Sequence, residues 1–160
     1  LMPHGECGQG EILRTTLGAD GSGYEFIHMP GGGVTNPATV ESVEAKMHKI
    51  QLKGRETFRF AVSTMSRLVK EYIADYDEDE LGLIVPHQVN RRIIDAALDR
   101  LEMTDEKVMV NIQSFGNTSA ASVPVALHQA VTEERCVPGK LVVLVAFGAG
   151  LTWGATLIRW

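Results

Sequence analysis

The 160-residue chain is 44% hydrophobic and 22% charged, an ordinary globular composition long enough to bury one core of domain size. Its formal net charge of −5 argues against nucleic-acid binding, which needs a basic face to neutralise phosphates, and no apolar run approaches the roughly 20 residues of a membrane span. With no charged-then-apolar leader at Leu1-Met2-Pro3-His4, a cytoplasmic location is expected, and Cys7 and Cys136 are expected to be free thiols.

The opening on Leu1 is expected of a processed or partial polypeptide. From Leu1 to Pro37, Gly and Pro dominate, Gly31-Gly32-Gly33 included, which predicts loops broken by one short strand at Ile12–Leu17. Between Met47 and Lys53, alternation of Ile50 and Leu52 with Lys49, Gln51 and Lys53 predicts a half-buried strand ended by Gly54. Phe58, Ala61, Val62, Met65, Leu68, Val69 and Tyr72 then recur at helical spacing, predicting an amphipathic helix from Arg55 to about Ala74. The acidic run Asp75 to Glu80 reads as a solvated connection.

A strand at Leu81–Val85, stopped by Pro86, precedes a helix from about Asn90 to Leu101, whose buried side carries Ile93, Ile94, Ala97, Leu98 and Leu101. A further strand is expected at Val108–Ile112, a loop at Gln113–Asn117, and a helix from about Ser119 to Thr132 with Pro124 in its first two turns. Leu141–Phe147 is apolar throughout, as in a strand covered on both faces, and a glycine turn leads to a last strand at Thr152–Ile158, predicting a hairpin. The alternation of strands and helices gives an α/β class, with a mixed five-stranded sheet layered with helices.

Two loops carry chemistry. In Pro86-His87-Gln88-Val89-Asn90, a histidine stands at the carboxyl end of a buried strand, the edge where open α/β sheets place ligands; a lone histidine there is more often bonded to local backbone. In Gly116-Asn117-Thr118-Ser119, an asparagine amide can donate to a developing oxyanion without titrating, although on local grounds helix capping is the better account of these residue types. Gly148-Ala149-Gly150 lacks the lysine and following helix of a phosphate cradle. His4 and Cys7 have no second ligand pair, so no metal site is expected, and Cys136, in an acidic turn, is expected to be a poor nucleophile.

The segments Val85-Pro86-His87-Gln88-Val89-Asn90-Arg91-Arg92, Phe115-Gly116-Asn117-Thr118-Ser119-Ala120-Ala121-Ser122 and Ala146-Phe147-Gly148-Ala149-Gly150-Leu151-Thr152-Trp153-Gly154 together resemble, in order and spacing, the 3-oxoacyl-[acyl carrier protein] synthase III family. Leu17-Gly18-Ala19-Asp20-Gly21 and Asn36-Pro37 extend the likeness over nearly the whole chain. The resemblance implies a thiolase-like half, the carboxyl-terminal one, with residues 1–37 leading in from the junction of the halves and 38–160 forming the domain. It implies the following chemistry for the complete enzyme, expected to be a homodimer: an acyl group passes from acyl-CoA to a cysteine in the amino-terminal half, and malonyl-[acyl carrier protein] is decarboxylated and condensed with it.

By the same resemblance, His87 and Asn117 are the catalytic pair that hydrogen-bonds the malonyl thioester oxygen. Gly54, Arg55, Phe58 and Phe147 line the pantetheine channel, and Arg91 and Arg92 dock the carrier protein, with Lys53 and Arg55 enlarging that basic patch. Coenzyme A thioester and phosphopantetheine enter as substrates, and no permanently bound cofactor is expected. Arg55 stands where relatives often have asparagine, and Phe115 where many have histidine. Related condensing enzymes that prime polyketides or make alkylquinolones share the His and Asn pair, and the isolated chain is also compatible with an inactive carrier-binding module.

Overall fold

The computed structural model describes residues 10–160. In chain order the elements are β1 (Glu11–Ala19), β2 (Ile27–His28), α1 (Val40–Glu44), β3 (Gln51–Leu52), α2 (Gly54–Ile73), β4 (Leu81–Pro86), α3 (Arg91–Leu101), α4 (Ile112–Phe115), α5 (Ser122–Thr132), β5 (Leu141–Gly148) and β6 (Thr152–Arg159), with short 3-10 turns between some of them. The expected hairpin is β5–β6, registered from Leu141 opposite Arg159 to Gly148 opposite Thr152. β1 adds antiparallel to the far side of β6 and β4 adds parallel to β5, so the main sheet runs β1-β6-β5-β4 and is mixed.

Strand alternation divides the core between two faces. Leu141, Val143, Val145 and Phe147 of β5, with Ala155 and Leu157 of β6, meet the apolar sides of α2 and α3. Each of these helices buries the side its periodicity predicts: Ala61, Val62, Met65, Leu68, Val69 and Tyr72 from α2, and Ile93, Ile94, Ala97, Leu98 and Leu101 from α3. Each large aliphatic side chain so buried is worth about 1.5–3 kcal/mol. On the opposite face, Leu83, Val85, Val142 and Ile158 meet Ala126 and Ala130 of α5, whose small side chains allow a close approach. Pro124 is the third residue of α5, where no helical partner awaits its missing N–H.

The main sheet has four strands, one fewer than expected, because Val108–Ile112 is not a strand. Only Val108 bridges to Ile84, and Met109 N–H donates to Ile84 O at 2.8 Å. Side chains take the remaining backbone groups that a ladder would use. Arg135 donates to Val108 O at 3.0 Å, the Gln88 amide donates to Met109 O at 3.0 Å, and Asn111 N–H donates back to the Gln88 amide oxygen at 2.9 Å. Ile112 then enters α4, where a loop was expected.

The strand expected at Met47–Lys53 shrinks to Gln51–Leu52, paired only with Ile27–His28 in a separate two-stranded sheet. Its alternation does not mark burial, because Ile50 and Leu52 are both exposed. Residues before position 38 are more than loop: β1 is a nine-residue edge strand of the main sheet. His4 and Cys7 lie outside the described residues.

Candidate active site

His87 follows directly on β4, and its backbone N–H continues the parallel ladder by donating to Val145 O at 2.8 Å. The next side chain locks this strand end. Gln88, 1% exposed, donates to Pro86 O at 2.8 Å while clamping Met109 and Asn111, and Asn111 in turn donates to the Gln129 side chain of α5 at 3.0 Å. Asn90 closes the loop by accepting from Arg92 N–H at 3.0 Å, which caps α3. Loop, adjacent segment and helix α5 are thus tied into one unit around His87.

The His87 ring is half-buried. Its Nδ1 lies 2.5 Å from the Ser122 hydroxyl at the start of α5, and that hydroxyl also accepts from Gln88 N–H at 3.2 Å. The ring packs edge-on to Phe147, with centroids 5.7 Å apart; Phe147 packs edge-on to Phe60 at 6.4 Å, and Phe60 meets Trp153 at 6.1 Å. This aromatic wall removes water from the imidazole, and desolvation holds its pKa below the usual histidine value, favouring the neutral form. A neutral imidazole keeps one N–H donor, and Nε2 has no hydrogen-bond partner among the described residues.

Asn117 lies in the exposed loop between α4 and α5. Gly116 enters it at φ +68° and ψ −163°, a region open essentially to glycine alone, and Ser119 follows at φ +54°. The Asn117 side-chain oxygen accepts from Ser119 N–H at 3.0 Å, which orients the amide, and its NH2 has no hydrogen-bond partner among the described residues. No hydrogen bond joins Asn117 to His87; the two loops are connected through Ser122, five residues after Asn117 and bonded to His87.

Gly54 and Arg55 open α2 on the surface, with Phe58 one turn on and partly buried against the core, while Phe147 is the side chain that touches His87. The basic residues divide. Arg91 is held by Asp95 and Asp105, each at 2.5 Å, and Lys53 by Glu25 at 2.9 Å, so their charges are already matched. The exposed side chains of Arg92 and Arg55 form no ion pair among the described residues. Cys136 is buried, and desolvation rather than its acidic neighbours raises its thiol pKa, against the opposing pull of Arg135.

Among the described residues no group of three or more His, Cys, Asp or Glu side chains is placed to hold a metal ion. Beside α5 runs an open apolar groove of about 460 Å³ lined by Phe115, Pro124, Val125, His128, Gln129 and Thr132. Ser122 and Gln88 are the site residues that the motifs contained without marking. Serine at a helix start and glutamine after a histidine carry no signature of their own, and 35 residues separate His87 from its hydroxyl partner.

Residues 73–160 match the family model described as 3-oxoacyl-[acyl-carrier-protein] synthase III C terminal. The chain is 45% identical to a beta-ketoacyl-[acyl-carrier-protein] synthase III of Natranaerobius thermophilus over 99% of its own length and 49% of the relative's. It therefore spans about half the length of the curated relatives it matches. It superposes on the crystal structure of the synthase III of Thermus thermophilus with a TM-score of 0.80 at 39% identity, covering 93% of this chain and 46% of that one. It superposes on the priming beta-ketosynthase of the R1128 polyketide pathway with a TM-score of 0.73 at 32% identity, covering 92% and 44% respectively.

Proposed function

Because this chain belongs to the 3-oxoacyl-[acyl carrier protein] synthase III family, we propose that it supplies the decarboxylating half of a condensing active site, completed by an amino-terminal half that carries the cysteine nucleophile. The observation that carries this reading is a pair of loops, one holding His87 at the end of β4 and one holding Asn117 between α4 and α5. Desolvation favours the neutral form of the half-buried His87, Asn117 has its amide oriented by Ser119, and neither Nε2 of His87 nor the NH2 of Asn117 has a hydrogen-bond partner among the described residues. Both are donors that need not change charge to work.

In the proposed reaction the acyl group has already passed from acyl-CoA to the partner half's cysteine. The carbon–carbon bond to the malonyl carboxylate then breaks, carbon dioxide leaves, and the electron pair moves into the thioester as an enolate. His87 Nε2–H and the Asn117 amide donate to the enolate oxygen. A preorganised donor of this kind is worth about 2.7–4 kcal/mol, more than a solvated one, because the aromatic wall of Phe147 and Phe60 lowers the local dielectric. The enolate carbon attacks the acyl thioester, and the cysteine leaves as thiolate.

Gly54, Arg55, Phe58 and Phe147 would contact the pantetheine arm, and Arg92 would meet the acidic carrier protein, with Arg91 contributing less because Asp95 and Asp105 already hold it. Malonyl decarboxylation tests the central claim. In the enzyme assembled with its amino-terminal half, His87→Ala should still accept an acyl group from acyl-CoA while releasing carbon dioxide about 100- to 1,000-fold more slowly. Undiminished carbon dioxide release from that variant would overturn the assignment. The likeness to a polyketide-priming ketosynthase supports a second reading, in which a related condensing enzyme with the same His and Asn pair joins a different acyl group.

A further inference from the structure

We propose that Ser122 is a positioning residue that fixes His87 in the tautomer with its proton on Nε2, by donating its own hydroxyl proton to Nδ1. The inference rests on the reading of His87 as a donor to the thioester oxygen, since a histidine protonated on Nδ1 would present a lone pair at Nε2.

The proton count around one oxygen carries the case. Ser122 is 2% exposed, so its hydroxyl has no access to bulk water. Gln88 N–H can only donate, and it donates to this hydroxyl oxygen at 3.2 Å. One hydroxyl proton is left to place. The hydroxyl oxygen has one other polar neighbour among the described hydrogen bonds, His87 Nδ1 at 2.5 Å. Were Nδ1 to carry the proton, the oxygen would accept twice and its own buried proton would have no acceptor, the arrangement that folded proteins avoid. With Nδ1 unprotonated, every group is satisfied: Gln88 N–H to the oxygen, the hydroxyl to Nδ1, and the imidazole proton on Nε2.

The neighbouring contacts make this selection rigid. Gln88 is clamped by Pro86, Met109 and Asn111, so its N–H cannot swing away, and Ser122 is held as the first residue of α5. The Phe147 ring, packed at 70° to the imidazole, restricts ring rotation that would exchange the two nitrogens. Desolvation of His87 acts in the same sense by disfavouring the doubly protonated ring. A second group that sets which nitrogen carries the proton is how a histidine is given a direction.

Nitrogen-15 spectra of the imidazoles in this chain test the inference, with His87→Gln identifying the His87 signals. The expected wild-type pattern at neutral pH is an unprotonated shift at Nδ1 and a protonated shift at Nε2. Ser122→Ala should move both shifts towards the average of exchanging tautomers, and Ser122→Thr, which keeps the hydroxyl, should restore them. A protonated Nδ1 in the wild type, or an unchanged pattern in Ser122→Ala, would overturn the proposal; the wild-type spectrum decides even if a variant fails to fold.

In the enzyme completed by its amino-terminal half, Ser122→Ala should slow malonyl decarboxylation by about 10- to 100-fold, the scale known for groups that orient metal-ligating histidines. It should add nothing in a His87→Ala background. If the spectra behave as expected but His87→Ala decarboxylates normally, the function assigned to His87 fails and its tautomer assignment stands.

Discussion

At the scale of single residues, the site depends on groups held where they have one thing to do. His87 illustrates the pH consequence. Burial lowers its folded-state pKa below an ordinary value of about 6.5, so between the two values the unfolded chain binds a proton that the folded chain does not. Stability is therefore undiminished above about pH 6.5, falls as pH drops through that value, and levels off below the folded-state pKa. A His87→Asn variant lacks this slope, and urea midpoints measured from pH 8 to pH 5 should fall more steeply for the wild type. Gly116 illustrates the backbone. Apart from its chain neighbours, no heavy atom lies within 4 Å of where its Cβ would stand, yet its φ of +68° with ψ −163° is closed to alanine. Gly116→Ala should cost about 1–3 kcal/mol in urea unfolding, whereas Gly54→Ala, equally open but without positive φ, should cost nothing. His87 was legible in the sequence because strand, proline, loop and helix announce a strand end. Ser122 was not, because a hydrogen bond across 35 residues exists only once α5 packs on β4.

At the scale of elements, sequence periodicity and burial coincide wherever packing enforces them. The buried faces of α2 and α3 coincide with the residues their spacing selects, because one uninterrupted sheet face lies beneath both. Val108–Ile112 has a strand-like sequence but is not a strand, for a reason that lies outside its own residues. Its β-branched character suits a strand, but Gln88 and Arg135 reach its backbone first, and a side-chain amide replaces the ladder. The Ile50 and Leu52 alternation misleads in the opposite way: the pattern is present and nothing packs on it. Gln88 is thus a structural element in itself. Replacing it with methionine, of similar length, should strand Pro86 O, Met109 O and Asn111 N–H without partners in a buried setting. At about 1–3 kcal/mol for each unsatisfied group, the expected loss is at least about 3 kcal/mol in urea unfolding. Amide exchange at Asn111 should accelerate in the same variant while β5 amides keep their relative protection. Loss confined to global stability, with Asn111 unchanged, would show that the clamp does not hold this segment.

For the whole molecule, coverage of the sheet is uneven. One face lies under α2 and α3, but α5 packs chiefly on β4 and β5 and reaches β6 at Ile158, leaving the rest of the β6 and β1 side of its face open among the described residues. Leu17, 82% exposed, stands on that open side against Gly154, and Phe115, Val131 and Val137 are exposed around α5 and the turn that follows. Exposed large apolar side chains of this kind are what a partner surface covers. Phe115 also lines the groove beside α5, with Pro124 and Val125. With relatives about twice as long, the occupant we expect is the amino-terminal half of the same enzyme. Two consequences can be read in one experiment, with this chain prepared alone and then mixed with that half as a separate polypeptide. Alone, it should bind a hydrophobic dye and gain no acyl adduct by intact mass on incubation with acetyl-CoA, since Cys136 is buried with its thiol pKa raised. After mixing, dye binding should fall, the unfolding temperature should rise, and one acyl group should appear, on the partner half only. An adduct on this chain's Cys136, or an unfolding temperature indifferent to the added half, would refute the division of labour in which one half holds the acyl group while His87 and Asn117 draw the carbanion from malonate.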